Sequence, residues 1–174
     1  VKLLSPTGKA ARVLAEKSGE FAETIHRGLG MIPGSISPTK FISEDLLIVD
    51  ETSMCGIDTI HAIVEAIRKN ENINLVFVGD PQQLPSVSPG NVLYDIIQSN
   101  CANVIKLNRI YRQDSGSFIP VVADCIAKGE PPMIPSGAKD ICVKECDPSD
   151  VIGLVTKMLS TYMDKELDIN EIQV

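Results

Sequence analysis

Apolar residues in the first hundred positions form either short unbroken runs or sets at helical spacing. Short runs of mostly apolar residues predict strands over 2–4, 46–50 and 75–78, and a further strand is predicted near 103–107. Helical spacing predicts helices over 8–18, 57–69 and 90–98, with a loop over 30–44. Thr24 is expected to cap a short helix that follows it. Because strands alternate with helices, the pattern predicts parallel βαβ units and an α/β fold.

The pattern changes after residue 108. A helix is predicted over 117–128, a proline-rich connector over 129–137 and a strand over 141–146. Asp147 and Pro148 are expected to open an amphipathic helix. Its apolar stripe would run from Val151 to Tyr162.

Composition narrows the class of protein. The chain has 174 residues and a net charge of −7, which argues against strong non-specific nucleic-acid binding through bulk charge. The first thirty residues carry five basic and three acidic side chains, a local charge of +2. No apolar run is long enough to span a membrane, and no signal-peptide pattern is present. Five cysteines without CxxC spacing indicate reduced thiols and a cytoplasmic protein.

Two adjacent acids follow the apolar run at 46–49. Asp50 and Glu51 would lie at the carboxyl end of a buried strand, where open α/β sheets bind ligands. One carboxylate can hold a divalent cation, and the next can orient or deprotonate a water molecule. The alternative for the two acids is a capping role. In either case, Thr52 or Ser53 could cap the next helix. The pair therefore predicts the acidic half of a nucleoside-triphosphatase site.

Two later segments add polar groups to the same predicted edge. The turn at 79–85 brings Asp80 and Gln83 there, and a glutamine can orient water or sense a γ-phosphate without adding charge. Arg109 and Arg112 follow the strand predicted near 103–107, and an arginine can stabilise charge on a transferring phosphate. By pattern alone, the first segment could equally be a proline-bounded turn, and the second is more often a solvated basic turn.

The segment Ser5–Ala11 only partly matches a phosphate loop. That loop needs a leading glycine, four residues, and then Gly-Lys-Ser/Thr, whereas Ala10 occupies the hydroxyl position and the leading glycine is missing. A hydroxyl-rich turn at a helix N-terminus can instead bind a phosphate of a nucleic-acid backbone. His26 and Arg27 could add to such a surface.

Five segments in this order resemble successive motifs of superfamily 1 DNA helicases, most closely the RecD-like branch, the alpha chain of exodeoxyribonuclease V. They are SPTGKAA at 5–11, TIHR at 24–27, VDETSM at 49–54, VGDPQQLPSV at 78–87 and LNRIYRQ at 107–113. The resemblance implies a RecA-like P-loop NTPase fold, a three-layer sandwich with a mainly parallel sheet. It also implies an incomplete first motor domain over 1–135 and a linker strand and helix over 136–174.

The resemblance implies a 5′-to-3′ DNA translocase driven by ATP and Mg²⁺, acting in DNA recombination and repair. Asp50 would bind Mg²⁺, Glu51 would activate the attacking water, Gln83 would sense the γ-phosphate, and Arg112 would contact it. Asp80 would couple the ATP and DNA sites. The residues that would grip single-stranded DNA are Pro6, Thr7, Gly8, Thr24 and His26.

The 174 residues depart from the family in lacking its phosphate loop and second motor domain. We therefore expect a piece of a longer protein that is inactive alone. An unpaired sheet edge would favour its self-association. Other subunits of an exodeoxyribonuclease V complex are the expected partners in the cell. The alternatives are a non-catalytic DNA-binding or assembly module with a motor fold and a conjugative relaxase-type helicase.

Overall fold

The computed structural model describes residues 1–107, 117–134, 138 and 140–163. The chain forms two compact units, one over residues 1–108 and one over 109–174. The first unit holds every strand of the described part.

The first unit is built on a four-stranded parallel sheet. Its strands are β1 (Lys2–Ser5), β2 (Ala22–Thr24), β3 (Leu46–Val49) and β4 (Asn74–Phe77), in the spatial order β2-β1-β3-β4. All three neighbouring pairs are parallel. The predicted α/β architecture is confirmed. Strand β2 was not predicted, because three half-buried residues are too few to show a pattern.

Four helices accompany the sheet. They are α1 (Gly8–Ser18), α2 (Ile25–Gly28), α3 (Ile57–Ile67) and α4 (Val92–Ser99), and a 3₁₀ turn covers Thr52–Met54. Their positions agree with the predicted helices to within a few residues at each end. Gly19 ends α1 at φ 72°, in the left-handed region where glycine is favoured.

The core lies between the sheet and helices α2 and α3. Leu4, Leu47 and Val49 of the central strands pack with Ile25 and Ile63 of those helices, and all five side chains are fully buried. Helix α1 contacts β1 and β2. Burial explains why Leu3, Leu4 and the run at 46–49 are apolar, since the residues of these two central strands are buried or half-buried.

The strand predicted near 103–107 is wrong. Residues 103–107 form no strand, and Ile105 and Leu107 are 88% and 92% exposed. A short apolar run becomes a strand only where a neighbouring strand offers hydrogen-bonding partners. In the described residues, β4 pairs with β3 alone and not with this segment.

The second unit contains two described helices, α5 (Ile119–Lys128) and α6 (Val151–Met163). The helix predicted over 117–128 is confirmed as α5, and Pro120 lies in its first turn, where proline is tolerated. A 3₁₀ turn over Pro148–Asp150 leads into α6, so Asp147 and Pro148 open this turn rather than the helix itself. The strand predicted over 141–146 is wrong, because this exposed segment has no strand partner among the described residues. No described helix has the length and apolarity needed to cross a membrane.

Candidate functional site

The predicted site residues of the first unit gather along one edge of the sheet. All four strands are parallel, so their carboxyl ends lie at the same edge, and the register places Ser5 beside Thr24, Val49 beside Leu4, and Phe77 beside Val49. The polar segments that follow the strands therefore come in a fixed spatial order. From β2 to β4 they are Thr24, the segment 6–8, the pair Asp50–Glu51, and the turn that holds Asp80 and Gln83.

The acid pair begins directly after β3. The Asp50 amide donates to the Leu4 carbonyl at 2.9 Å, which ties the acid to β1. Asp50 Oδ1 accepts the Glu51 amide at 3.0 Å, and its other oxygen has no hydrogen bond from the described residues. A half-buried carboxylate with an available oxygen fits Mg²⁺, which is commonly held by one or two carboxylates together with waters and phosphates. The described residues contain no group of three or more His, Cys, Asp or Glu side chains that could hold a metal ion among themselves.

The backbone reverses sharply at Glu51. This residue has φ 53° and ψ 38°, a left-handed conformation that is uncommon outside glycine and is found often at functional sites. The next residue holds the turn in place. Thr52 donates from its hydroxyl to the Val49 carbonyl at 2.8 Å and from its amide to the Val78 carbonyl at 2.8 Å. The acid turn is thereby fixed to both β3 and the end of β4.

The alternative capping role for this turn is wrong. Gly56 is the N-cap of α3, and it makes no side-chain capping bond. The Thr52 hydroxyl donates to the carbonyl of Val49, the last residue of β3. Neither Thr52 nor Ser53 therefore caps α3.

The turn after β4 approaches the acid turn closely because residue 79 is glycine. A β-carbon on Gly79 would come 2.8 Å from Leu93 Cδ2 and 3.0 Å from the Ser53 amide nitrogen. Asp80 shapes the turn by accepting the Gln82 amide on its side chain at 2.9 Å and the Gln83 amide on its carbonyl at 3.2 Å. Gln83 is exposed, so its side chain is available to a ligand.

The two threonines predicted to contact DNA both cap helices. Thr7 Oγ1 accepts the Ala10 amide at 3.2 Å and begins α1, while Thr24 Oγ1 accepts the Arg27 amide at 3.3 Å and begins α2. A capping hydroxyl uses its oxygen as an acceptor and keeps its proton for a further acceptor, such as a phosphate. Pro6 is half-buried and Gly8 and His26 are exposed, so this part of the edge is accessible.

Positive charge near these threonines is largely compensated. Glu23 pairs with Lys2 at 2.5 Å and lies 3.9 Å from Arg27, while Arg12 pairs with Glu16 at 3.0 Å. Three of the five basic side chains in the first thirty residues are therefore ion-paired, so much of the local positive charge is offset. Hydroxyls and helix N-termini are the groups at this edge that suit a phosphate.

Two functional candidates were missed by the sequence analysis. Ser5 and Ser53 are buried, and neither hydroxyl has a hydrogen-bond partner in the described part of the chain. A buried hydroxyl without a partner costs roughly 1–3 kcal/mol. Nothing in the sequence distinguishes these serines from packed small residues. Arg109 and Arg112, by contrast, were predicted but lie outside the described residues.

Comparison with known proteins gives a family match. The family model described as the AAA domain matches residues 1–144. The ATP-dependent RecD2 DNA helicase of Deinococcus radiodurans is 38% identical over 153 residues, which cover 85% of this chain and 20% of that protein. The RecBCD enzyme subunit RecD of Mycolicibacterium smegmatis is 33% identical over 152 residues, which cover 75% of this chain and 27% of that protein.

The chain is therefore much shorter than these curated relatives, spanning 20% and 27% of their lengths. Among solved structures, unliganded Pif1 from Bacteroides sp. matches 71% of this chain and 35% of its own. It shares 25% sequence identity with the chain at a TM-score of 0.46.

Proposed function

The chain belongs to the AAA domain family and is RecD-like in sequence, and from this premise we propose that it works within an ATP-driven 5′-to-3′ translocase on single-stranded DNA. The observation that carries the proposal is the arrangement along one sheet edge. Candidate nucleotide groups follow β3 and β4, and candidate DNA groups follow β1 and β2. A translocase needs both sets on one rigid support, because hydrolysis at one set must change the grip of the other.

On the nucleotide side, each residue has a distinct role in the proposal. Asp50 holds Mg²⁺ with its available carboxylate oxygen, and Glu51 accepts a proton from the attacking water. Gln83 senses the γ-phosphate by hydrogen bonding, and Arg112 stabilises the charge that develops on it. Mg²⁺–ATP, when bound, supplies the phosphoryl group and the cation that neutralises it.

On the DNA side, the proposal assigns backbone contacts to the segment after β1 and to the start of α2. Thr7 and Thr24 donate their hydroxyl protons to phosphates while their oxygens cap the helices. Pro6, Gly8 and His26 complete the contact surface. Asp80 couples the two sides, since it shapes the turn that carries Gln83 and follows the glycine beside the acid turn.

A phosphate loop is the main missing part of this site. The 174 residues contain no Gly-x4-Gly-Lys-Ser/Thr sequence. We therefore propose that the backbone cradle and lysine for the triphosphate are supplied from outside these residues, in a longer protein. We propose that the protein acts in cytoplasmic DNA recombination and repair. The resemblance to a RecBCD subunit supports a further proposal, that partner subunits of an exodeoxyribonuclease V complex bind it.

The test is the Glu51→Gln variant of the complete protein that carries this chain. The amide has nearly the same shape but cannot accept the proton, so we expect DNA-stimulated ATP hydrolysis to fall about 10²–10⁴-fold. Affinity for oligo(dT) should remain within the error of the wild-type value. Absence of DNA-stimulated hydrolysis in the wild-type protein would contradict the proposed function.

The purified 174-residue chain provides a second test. It should neither hydrolyse ATP nor unwind a partial duplex, because it lacks the phosphate loop. Measurable DNA-stimulated hydrolysis by the chain alone would contradict this part of the proposal.

A further inference from the structure

Ser5 is the last residue of β1, and its side-chain hydroxyl is buried without a hydrogen bond to any described residue. The residue is fully buried, and Ser5 Oγ finds no hydrogen-bond partner among the residues that the structure describes. Most buried hydroxyls in proteins are hydrogen-bonded. An alanine would fill nearly the same space without a polar atom, so packing alone does not account for a serine here.

The position of Ser5 in the sheet suggests where its partner comes from. On one side, Ser5 is in register with Thr24 of β2, which caps α2. On the other side, the Asp50 amide donates to the carbonyl of Leu4, the residue directly before Ser5. Pro6 and Thr7 continue the chain to the cap of α1. Ser5 therefore lies between the groups proposed to hold DNA and the acid proposed to hold Mg²⁺.

Ser53 is the other buried hydroxyl without a partner in the described residues, but it is less informative. It lies inside the 3₁₀ turn that follows Glu51, so changing it would disturb the acid turn directly. Ser5 belongs to a neighbouring strand. A change at Ser5 can therefore alter communication between the two sets of groups without altering either set.

We propose that Ser5 is a positioning residue that couples the DNA and nucleotide groups. When nucleotide occupies the site, the Ser5 hydroxyl donates to the Asp50 carboxylate or to a water that this carboxylate holds. The new hydrogen bond restrains the end of β1 and, through Pro6, the position of Thr7. This inference rests on the proposed function and adds a residue that links its two halves.

The test compares Ser5→Ala with the wild-type complete protein. The readout is the affinity for fluorescent oligo(dT) measured with and without a non-hydrolysable ATP analogue. The ratio of the two dissociation constants is the coupling factor between the ligands. A factor of one means that the two ligands do not affect each other. We expect Ser5→Ala to reduce the coupling at least about fivefold, so that its factor lies nearer to one than that of wild type. Affinity for oligo(dT) without nucleotide should stay unchanged. Ser37→Ala is the matched control, because it makes the same chemical change at an exposed position.

A thermal unfolding measurement separates positioning from a structural role. Without ligands, Ser5→Ala should unfold at the same temperature as wild type or a higher one, because the variant removes a desolvated hydroxyl. An unchanged coupling factor would overturn the inference and leave the proposed function standing. A lower Tm with weaker binding of both ligands would also overturn it, since that result indicates a packing role. A wild-type protein without DNA-stimulated ATP hydrolysis would overturn both proposals.

Discussion

At the scale of one residue, Cys55 shows that the acid turn leads directly into the hydrophobic core. It follows the 3₁₀ turn and is 2% exposed. Burial raises the pKa of its thiol from 9.0 to about 11, because the thiolate would lose its hydration. The thiol is therefore neutral at physiological pH and serves as a small apolar side chain.

The raised pKa of Cys55 predicts an alkaline loss of stability. Below pH 9 the thiol is protonated in both states, and its preference for the folded state is fully present. Between pH 9 and about 11 the unfolded chain releases the proton while the folded chain keeps it, so the free energy of unfolding falls. The total loss from this residue is about 2–3 kcal/mol, at 1.36 kcal/mol per pKa unit. Urea unfolding across this pH range measures it.

Cys55→Ala is the control for that prediction. The variant leaves every other ionisable group in place, so only the contribution of Cys55 is removed. Its stability should therefore decline less steeply from pH 9 to 11 than that of wild type. Parallel declines in the two proteins would show that Cys55 does not carry the effect.

At the scale of elements, helices α1 and α2 begin at the residues proposed to bind DNA. Each N-terminus presents backbone amides without helical partners, and each is capped by a threonine whose proton is available. The same hydroxyl can therefore stabilise the helix and bind a phosphate. The two roles separate when the capping group carries a negative charge.

Thr7→Asp separates capping from DNA binding. Aspartate caps a helix about as well as threonine, so the free energy of unfolding should stay within about 0.5 kcal/mol of wild type. The added carboxylate repels phosphate, so affinity for single-stranded DNA should fall at least about tenfold. Denaturant unfolding of the chain and oligo(dT) titration of the complete protein measure the two effects.

Two further variants at the same position serve as controls for Thr7→Asp. Thr7→Ser keeps the hydroxyl and should retain both stability and binding. Thr7→Ala loses the cap and should cost about 1 kcal/mol of stability. If Thr7→Asp binds DNA as tightly as Thr7→Ser, the backbone contact assigned to Thr7 is wrong.

At the scale of the whole molecule, the sheet of the first unit is open at β4. In the described residues β4 pairs only with β3, and Val76 and Val78 are 42% and 44% exposed. The strand Asn74–Phe77 carries no lysine or proline to block a further strand. The open edge supports the expected self-association of the chain.

The Val76→Lys variant tests whether this edge mediates association. A lysine on an edge strand disfavours pairing because its charge would lose water. We expect the wild-type 174-residue chain to associate with rising concentration and Val76→Lys to associate about tenfold more weakly, a difference of about 1.4 kcal/mol. Sedimentation velocity measures both constants. Val64→Lys, at an exposed position of α3, is the control. A monomeric wild-type chain at high concentration would contradict the prediction.

Prediction from sequence succeeded best for segments whose local pattern is enough to fix their structure in the fold. The runs at 2–4 and 46–49 form central strands, and Thr24 caps α2 as expected. The RecA-like α/β fold predicted from pattern and resemblance is confirmed. The segments 103–107 and 141–146 have strand-like composition but no pairing partner in the described structure. Composition cannot reveal whether a partner exists.

The sequence by itself determined the kinds of groups that this protein presents and the family to which it belongs. The motifs and their order indicated both the chemical groups and the family, because a motif is defined by residue types and their spacing along the chain. The tertiary structure alone decided which of those groups are neighbours. The parallel register sets Ser5 between Thr24 and β3, the strand that Asp50 follows, and Gly79 lets the turn after β4 approach the acid turn. Such proximity depends on strand pairing between residues far apart in the chain, so no local pattern encodes it.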